Sequence, residues 1–297
     1  MKIDTHQHFW RYEAQDLPWI DGSMSALQRD CMPQDCEVAL RACGVGATVA
    51  VQARSGVAET DFLLALTQKN PYIVGVVGWV DLAAEDIGLQ LDRWSDHAAL
   101  RGFRHILQNE ADISAVLDLP AFNRGVGQLQ QRKLVYDVLV FEHQLLAVLQ
   151  FCAHHDRHWL VLDHVGKPAL RNLSPNQALP QAWLAALHAL GRMPHVACKL
   201  SGLVTEAAWQ GAAGMPIAGA DARTILRVFD VALETFGPKR IMFGSDWPVC
   251  QLAAPYETVH ALAQEWADAS LSVDEQADFW SGNAIRCYGL NTQALPA

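Results

Sequence analysis

Apolar residues in this chain gather into eight short, nearly unbroken runs. They are MKIDTHQHF (1–9), ATVAVQA (47–53), IVGVVGWV (73–80), LRGFRHIL (100–107), KLVYDVLV (133–140), WLVLDHV (159–165), HVACKLS (195–201) and RIMFGSDW (240–247). Runs that do not alternate with polar residues suit strands buried on both faces, as parallel strands covered by helices are. Helix-length segments separate them. PQDCEVALRACG starts on Pro33 and stops at Gly44, the usual asymmetry of helix entry and exit. The other helix-length segments are ETDFLLALTQKN, AEDIGLQLDRW, HQLLAVLQFCAHH, LPQAWLAALHALG and DARTILRVFDVALETFG. Eight repeats of strand and helix predict an α/β protein of the (β/α)8 barrel type, a single domain over residues 1–297.

Two segments break this cadence. Residues 9–32 form a long connection after the first strand, on the side where a barrel keeps its site, and are expected to act as a lid-like loop. The tail SVDEQADFWSGNAIRCYGL is expected to form a C-terminal capping helix.

Apolar residues make up 51% of the chain, enough for a large core, and the net charge of -10 comes without any cluster of Lys and Arg. That balance argues against nucleic acid or an anionic membrane as partner. No stretch reaches the roughly 18 apolar residues that cross a bilayer, and the first strand begins without a basic region and apolar run before it, so a cytoplasmic location is expected. The cysteines number 7, are scattered and never fall in a C-x-x-C pair, as reduced, packed thiols would. Cys198 and Cys250, near strand ends, are the ones to watch.

The polar residues at the expected strand ends carry the chemistry. His6 and His8, two apart on an extended chain, project to the same side. The later tips offer Gln52, Trp79 and Asp81, Arg104 and His105, Tyr136 and Asp137, Asp163 and His164, Lys199 and Ser201, and Asp246. Imidazole and carboxylate are ligands for a divalent ion such as zinc, and the same groups can activate water without one. Adjacent residues face opposite ways, so only one of Arg104 and His105, and one of Tyr136 and Asp137, points fully inward. Asp163 is expected to face away from His164 and cap a helix. Lys199 reads as a substrate or water contact, or as a structural ion pair. Trp10, Trp19, Trp247 and Trp280 read first as packing, with a sugar-ring contact as a second reading for Trp10 and Trp19. HHDRH (154–158) reads as a helix end on the opposite face, not as a metal tract.

The stretches DTHQHFW (4–10), RGFRH (101–105), YDVLV (136–140), LDHVGKP (162–168), KLSG (199–202), FGSDWPV (243–249) and NAIRCY (283–288) resemble, in order, the amidohydrolase superfamily, and within it the amidohydrolase-2 branch of sugar lactonases and 2-pyrone-4,6-dicarboxylate lactonases. The resemblance implies a hydrolase opening the ester of a small-molecule sugar lactone, L-fucono- or L-rhamnono-lactone. Asp246 would activate water, and His6, His8, His164 and Lys199 would polarise the carbonyl. Gln52, Arg104, His105, Asp137 and the loop bearing Trp10 and Trp19 would read the ring. Metal-dependent members commonly carry a Lys or Glu at the fourth strand and further His ligands on the fifth and sixth; this chain lacks the bridging carboxylate. A single zinc-like ion on His6, His8 and Asp246 fits what remains, and activity without metal stays open. A metal-dependent decarboxylase, a pyrone dicarboxylate lactonase and a non-catalytic sugar-binding barrel are the rival readings.

Overall fold

The computed structural model describes residues 1–171, 173, 177–208 and 217–291. Eight strands form one parallel sheet in sequence order: β1 Lys2–Gln7, β2 Val45–Val51, β3 Ile73–Gly78, β4 Leu100–His105, β5 Val135–Val138, β6 Leu160–Leu162, β7 Val196–Leu200 and β8 Ile241–Phe243. Every apolar run of the sequence therefore holds a strand, most of them trimmed at their ends, while β2 begins ahead of its run at Val45. The sheet closes between β8 and β1. Thr5 Oγ1 donates to Phe243 O at 2.6 Å, and past the strand ends His8 N donates to Trp247 O at 2.7 Å. The result is the expected (β/α)8 barrel.

Inside the lower barrel sit Ile3, Val49, Val77, Val135, Val161, Ala197 and Met242. The outer faces of the strands pack against helices, among them Pro33–Ala42, Val57–Lys69, Leu145–His154, Gln181–Gly191 and Gly219–Phe236. Among the described residues, sequence patterning missed the long helices Pro120–Gln131 and Tyr256–Ser270 and the short ones Ile113–Asp118 and Leu203–Ala208. The first contains Gly125 and Gly127, poor helix formers. Gly125 is there for packing, because a Cβ would drive into the Leu82 carbonyl.

The tail differs from the single capping helix expected. It is three short pieces, Val273–Ala277, a π turn at Asp278–Gly282, and Asn283–Tyr288. Ala284, Cys287, Tyr288 and Leu290 close the barrel floor by packing on its interior residues. No helix among the described residues is long and apolar enough to cross a membrane.

Candidate active site

β1 delivers His6, and His8 follows one residue past its end; the two rings lie 4.9 Å apart, centre to centre. Opposite them the chain leaves β8 and turns sharply. Asp246 takes a left-handed backbone, φ 61°, which a short polar side chain tolerates better than most. Its N–H donates to His6 O at 2.9 Å, and the fully buried Asp4 accepts from Ser245 N at 2.9 Å and His6 N at 3.1 Å. Asp4 thus clasps the two segments that carry His6, His8 and Asp246. After β6, His164, Val165, Gly166 and Lys167 are all left-handed, a conformation strained for β-branched Val165. Two glycines let the rings come close. A Cβ on Gly202 would stand 2.5 Å from His164 Nδ1, and one on Gly244 would stand 2.8 Å from His6 Cβ.

Three imidazoles converge on one carboxylate oxygen. Asp246 Oδ1 is 3.3 Å from His8 Nε2, 3.7 Å from His6 Nε2 and 4.0 Å from His164 Nε2. These gaps are loose for hydrogen bonds and near the roughly 3.4 Å that tetrahedral angles and Zn–N bonds of about 2.05 Å put between neighbouring ligands. The far ring nitrogens are engaged: His8 Nδ1 lies 2.8 Å from Val51 O, and His164 Nδ1 lies 2.9 Å from Ser201 Oγ. Metal-binding histidines are commonly oriented this way. His6, His8 and Asp246 form one candidate ion-binding group, and His6, Asp163 and His164 a second. The first fits a cation. The second is already neutralised, because Asp163 Oδ2 pairs with Arg104 Nη1 at 2.8 Å and Oδ1 with Lys199 Nζ at 3.1 Å.

Protonation follows from this layout. Burial alone would raise the Asp246 carboxyl, but the surrounding imidazoles, His164 foremost, outweigh it and hold the group well below the usual carboxylate range. Burial lowers His164 to about 4 against the pull of Asp246, and pushes His6 well down against that of Asp163. At neutral pH Asp246 is therefore ionised while His6 and His164 are neutral, the states that bind a metal ion.

Asp163 corrects the sequence reading. It is fully buried inside the barrel, where it meets Arg104, Lys199 and His6, with His6 Nδ1 3.3 Å away. Asp163 continues the alternation of β6 on the inner side, like Val161, and it is His164, with φ 55°, that the left-handed turn brings inward beside it. Of each adjacent pair one residue enters: Arg104 and Asp137 point in. His105 turns out to Glu110 at 2.6 Å and to the ring of Phe122, and Tyr136 packs on Phe122 and Phe151.

A cavity of about 550 Å³ opens above this centre, with His8, Arg104, His164 and Asp246 among its lining residues. Trp19 and Met24 of the loop, Ile106, Leu139, Phe141 and Val249 supply apolar wall, and Gln108, Asn109, Lys167, Arg171 and Glu206 supply polar wall. Among the residues expected to read substrate, Trp19 and Arg104 line the cavity, while Trp10, Gln52, His105 and Asp137 do not. Trp10 is buried, its Nε1 donating to Arg29 O. Gln52 brackets the guanidinium, accepting from Arg104 Nη2 through its backbone O at 2.6 Å and through Oε1 at 3.2 Å. Asp137 lies below the floor against Lys199. Lys199 is fully buried and does not line the cavity; its position is that of the ion-pair reading.

Sequence reasoning missed the wall residues Lys167 and Glu206, whose Nζ and Oε1 lie 3.9 Å apart. The GKP that follows His164 was the available signal for Lys167. His154 ends its helix as expected, and His155 bonds Asn123 instead of a metal set. Burial raises both the Cys198 and Cys250 thiols, so neither is a nucleophile.

Such a barrel, with a histidine pair from β1 facing an aspartate from β8, defines a hydrolase-type centre that works on water. Residues 3–290 match the Amidohydrolase family (Amidohydro_2), and the chain belongs to it. It is 50% identical over 290 residues to an L-fucono-1,5-lactonase of Burkholderia multivorans (strain ATCC 17616 / 249), covering 98% of this chain and 96% of that one. A second L-fucono-1,5-lactonase, from Burkholderia ambifaria, is 32% identical over 98% of this chain and 96% of its own. A solved amidohydrolase from Burkholderia multivorans with bound zinc superposes with a TM-score of 0.92 at 50% identity, covering 98% of this chain and 100% of that one.

Proposed function

We propose that this chain is a lactonase that hydrolyses the ring ester of a sugar lactone, with L-fucono-1,5-lactone as the preferred substrate. The observation that carries the reading is 50% identity, along nearly the whole length, to a lactonase acting on that compound. The centre suits the chemistry. Hydrolysis needs an activated water, a counter-charge for the tetrahedral oxyanion and a proton for the leaving alkoxide. Asp246, ionised beside neutral His6 and His164, takes the proton from water and returns it to the ring oxygen. Arg104, rigidly held by Gln52 and Asp163, presents a fixed cation at the cavity floor. His6, His8 and Asp246 would hold one zinc ion, which supplies Lewis-acid polarisation of the carbonyl.

The chain works as one domain, and the 9–32 loop, through Trp19 and Met24, forms part of the cavity wall. Trp19 is pinned by its Nε1–H to Ala53 O at 2.8 Å. Neither nucleic acid nor membrane is a partner, in line with a net charge of -10, and the location is the cytoplasm. The test is a pH-indicator assay on a panel of aldonolactones, with and without chelator. Rapid acid release from L-fucono-1,5-lactone is expected. No acid from any lactone, together with CO2 release from an aromatic acid, would move the chain to the decarboxylase reading.

A further inference from the structure

The last helical piece of the chain ends far from the catalytic residues in sequence, yet its final side chain reaches them from below. Tyr288 is 2% exposed, and its hydroxyl donates to Asp137, 2.9 Å from Oδ1 and 3.1 Å from Oδ2. Asp137 in turn accepts from Lys199 Nζ at 2.5 Å, and that ammonium lies 5.4 Å above the tyrosine ring. Lys199 Nζ also sits 3.1 Å from His6 Nδ1 and 3.1 Å from Asp163 Oδ1. Tyr288, Asp137, Lys199 and His6 therefore form an unbroken line of contacts from the barrel floor to the centre.

Asp137 needs an external constraint. The carboxylate torsion is broad and two-fold, and Val135, Val161, Ala197 and Met242 around the lower barrel offer it no polar partner. Tyr288 O–H and Lys199 N–H together fix its plane. If the hydroxyl is removed, the carboxylate can turn, and Lys199 can shift from Asp137 toward Asp163, which it already touches. Its approach to His6 Nδ1 then changes, and so does the direction of the Nε2 that faces Asp246. A hydroxyl serving only to solvate a buried carboxylate would affect stability and leave the histidine alone.

We propose that Tyr288 is a positioning residue: through Asp137 and Lys199 it sets the orientation of His6 and so tunes both ion binding and turnover. The proposal rests on the lactonase reading only for its turnover arm. The test compares the full chain with Tyr288→Phe, Asp137→Asn and the double variant. Zinc affinity is measured by competition with a chromophoric chelator, kcat and KM on L-fucono-1,5-lactone, and folding by circular dichroism. Tyr288→Phe should weaken zinc binding and lower kcat by about tenfold each, the scale of outer-contact losses around metal ligands, with KM little changed. Added to Asp137→Asn, it should lower neither further. A folded Tyr288→Phe with parental zinc affinity and kcat overturns the proposal, as does an equal loss in both backgrounds. Should Tyr288→Phe fail to fold, parental zinc affinity in Asp137→Asn overturns it instead. A parent that hydrolyses no lactone removes the lactonase reading alone, and the zinc measurements still decide on Tyr288.

Discussion

Replacing Asp246 with Asn isolates the base from the scaffold. The amide has the same shape, and the turn is held by main-chain bonds that the change leaves intact, Asp246 N to His6 O and Cys250 N to Asp246 O, so the turn after β8 should persist. What is lost is a carboxylate that is 5% exposed and has imidazole nitrogens at 3.3, 3.7 and 4.0 Å. Those neighbours keep it ionised at neutral pH, so every parent molecule carries the base in its working form, and no variant molecule does. General-base catalysis contributes roughly 10²- to 10⁴-fold, about 2.7 to 5.4 kcal/mol of barrier. Because Asp246 is also one of the three candidate ion ligands, the loss should lie toward the upper part of that range. The assay is initial-rate acid release from L-fucono-1,5-lactone on metal-saturated protein, with circular dichroism as the fold control. A folded Asp246→Asn with kcat within about threefold of the parent would refute the assignment, since it would leave no room for a base at this position.

Metal analysis of protein purified with zinc present should find about one ion per chain, because Arg104 and Lys199 already neutralise Asp163 in the second ligand group; two tightly held ions would overturn this account. Gly202→Ala should lower kcat and cost roughly 1 to 3 kcal/mol of stability in denaturant melts, as φ is 67° and the new methyl strikes His164; a parent-like variant would contradict the packing argument. His155 is held to about 4 by burial, whereas an unfolded histidine titrates near 6.5. Between those values the unfolded chain binds the extra proton, so His155 stabilises the fold less as pH falls from 7 toward 4. The melting-temperature advantage of the parent over His155→Gln should therefore shrink between pH 7 and pH 5, and a constant or growing gap would show that the ring is not kept neutral.

The strands and the chemistry of this protein are local properties, and the chain displays them openly. Continuous apolar runs must be buried on both faces, which requires helices on the outside and hence a barrel. Spacing two puts His6 and His8 on one side, and the position near the end of the eighth run places Asp246 opposite them. What local pattern could not decide is direction and depth. His164 enters beside Asp163 because the chain goes left-handed after β6, a change of backbone region that alternation cannot anticipate. Gln52, Asp137 and Lys199 look like substrate readers at strand tips, but the barrel buries them beneath the floor, where a lone charge is unfavourable and each must find a partner in another strand. The cavity wall comes from loops whose positions depend on distant anchors, such as Trp19 on Ala53. Tyr288 reaches Asp137 across 151 residues of sequence. Such contacts exist only once the sheet has closed, because closure alone brings β5, β7 and the tail to one axis.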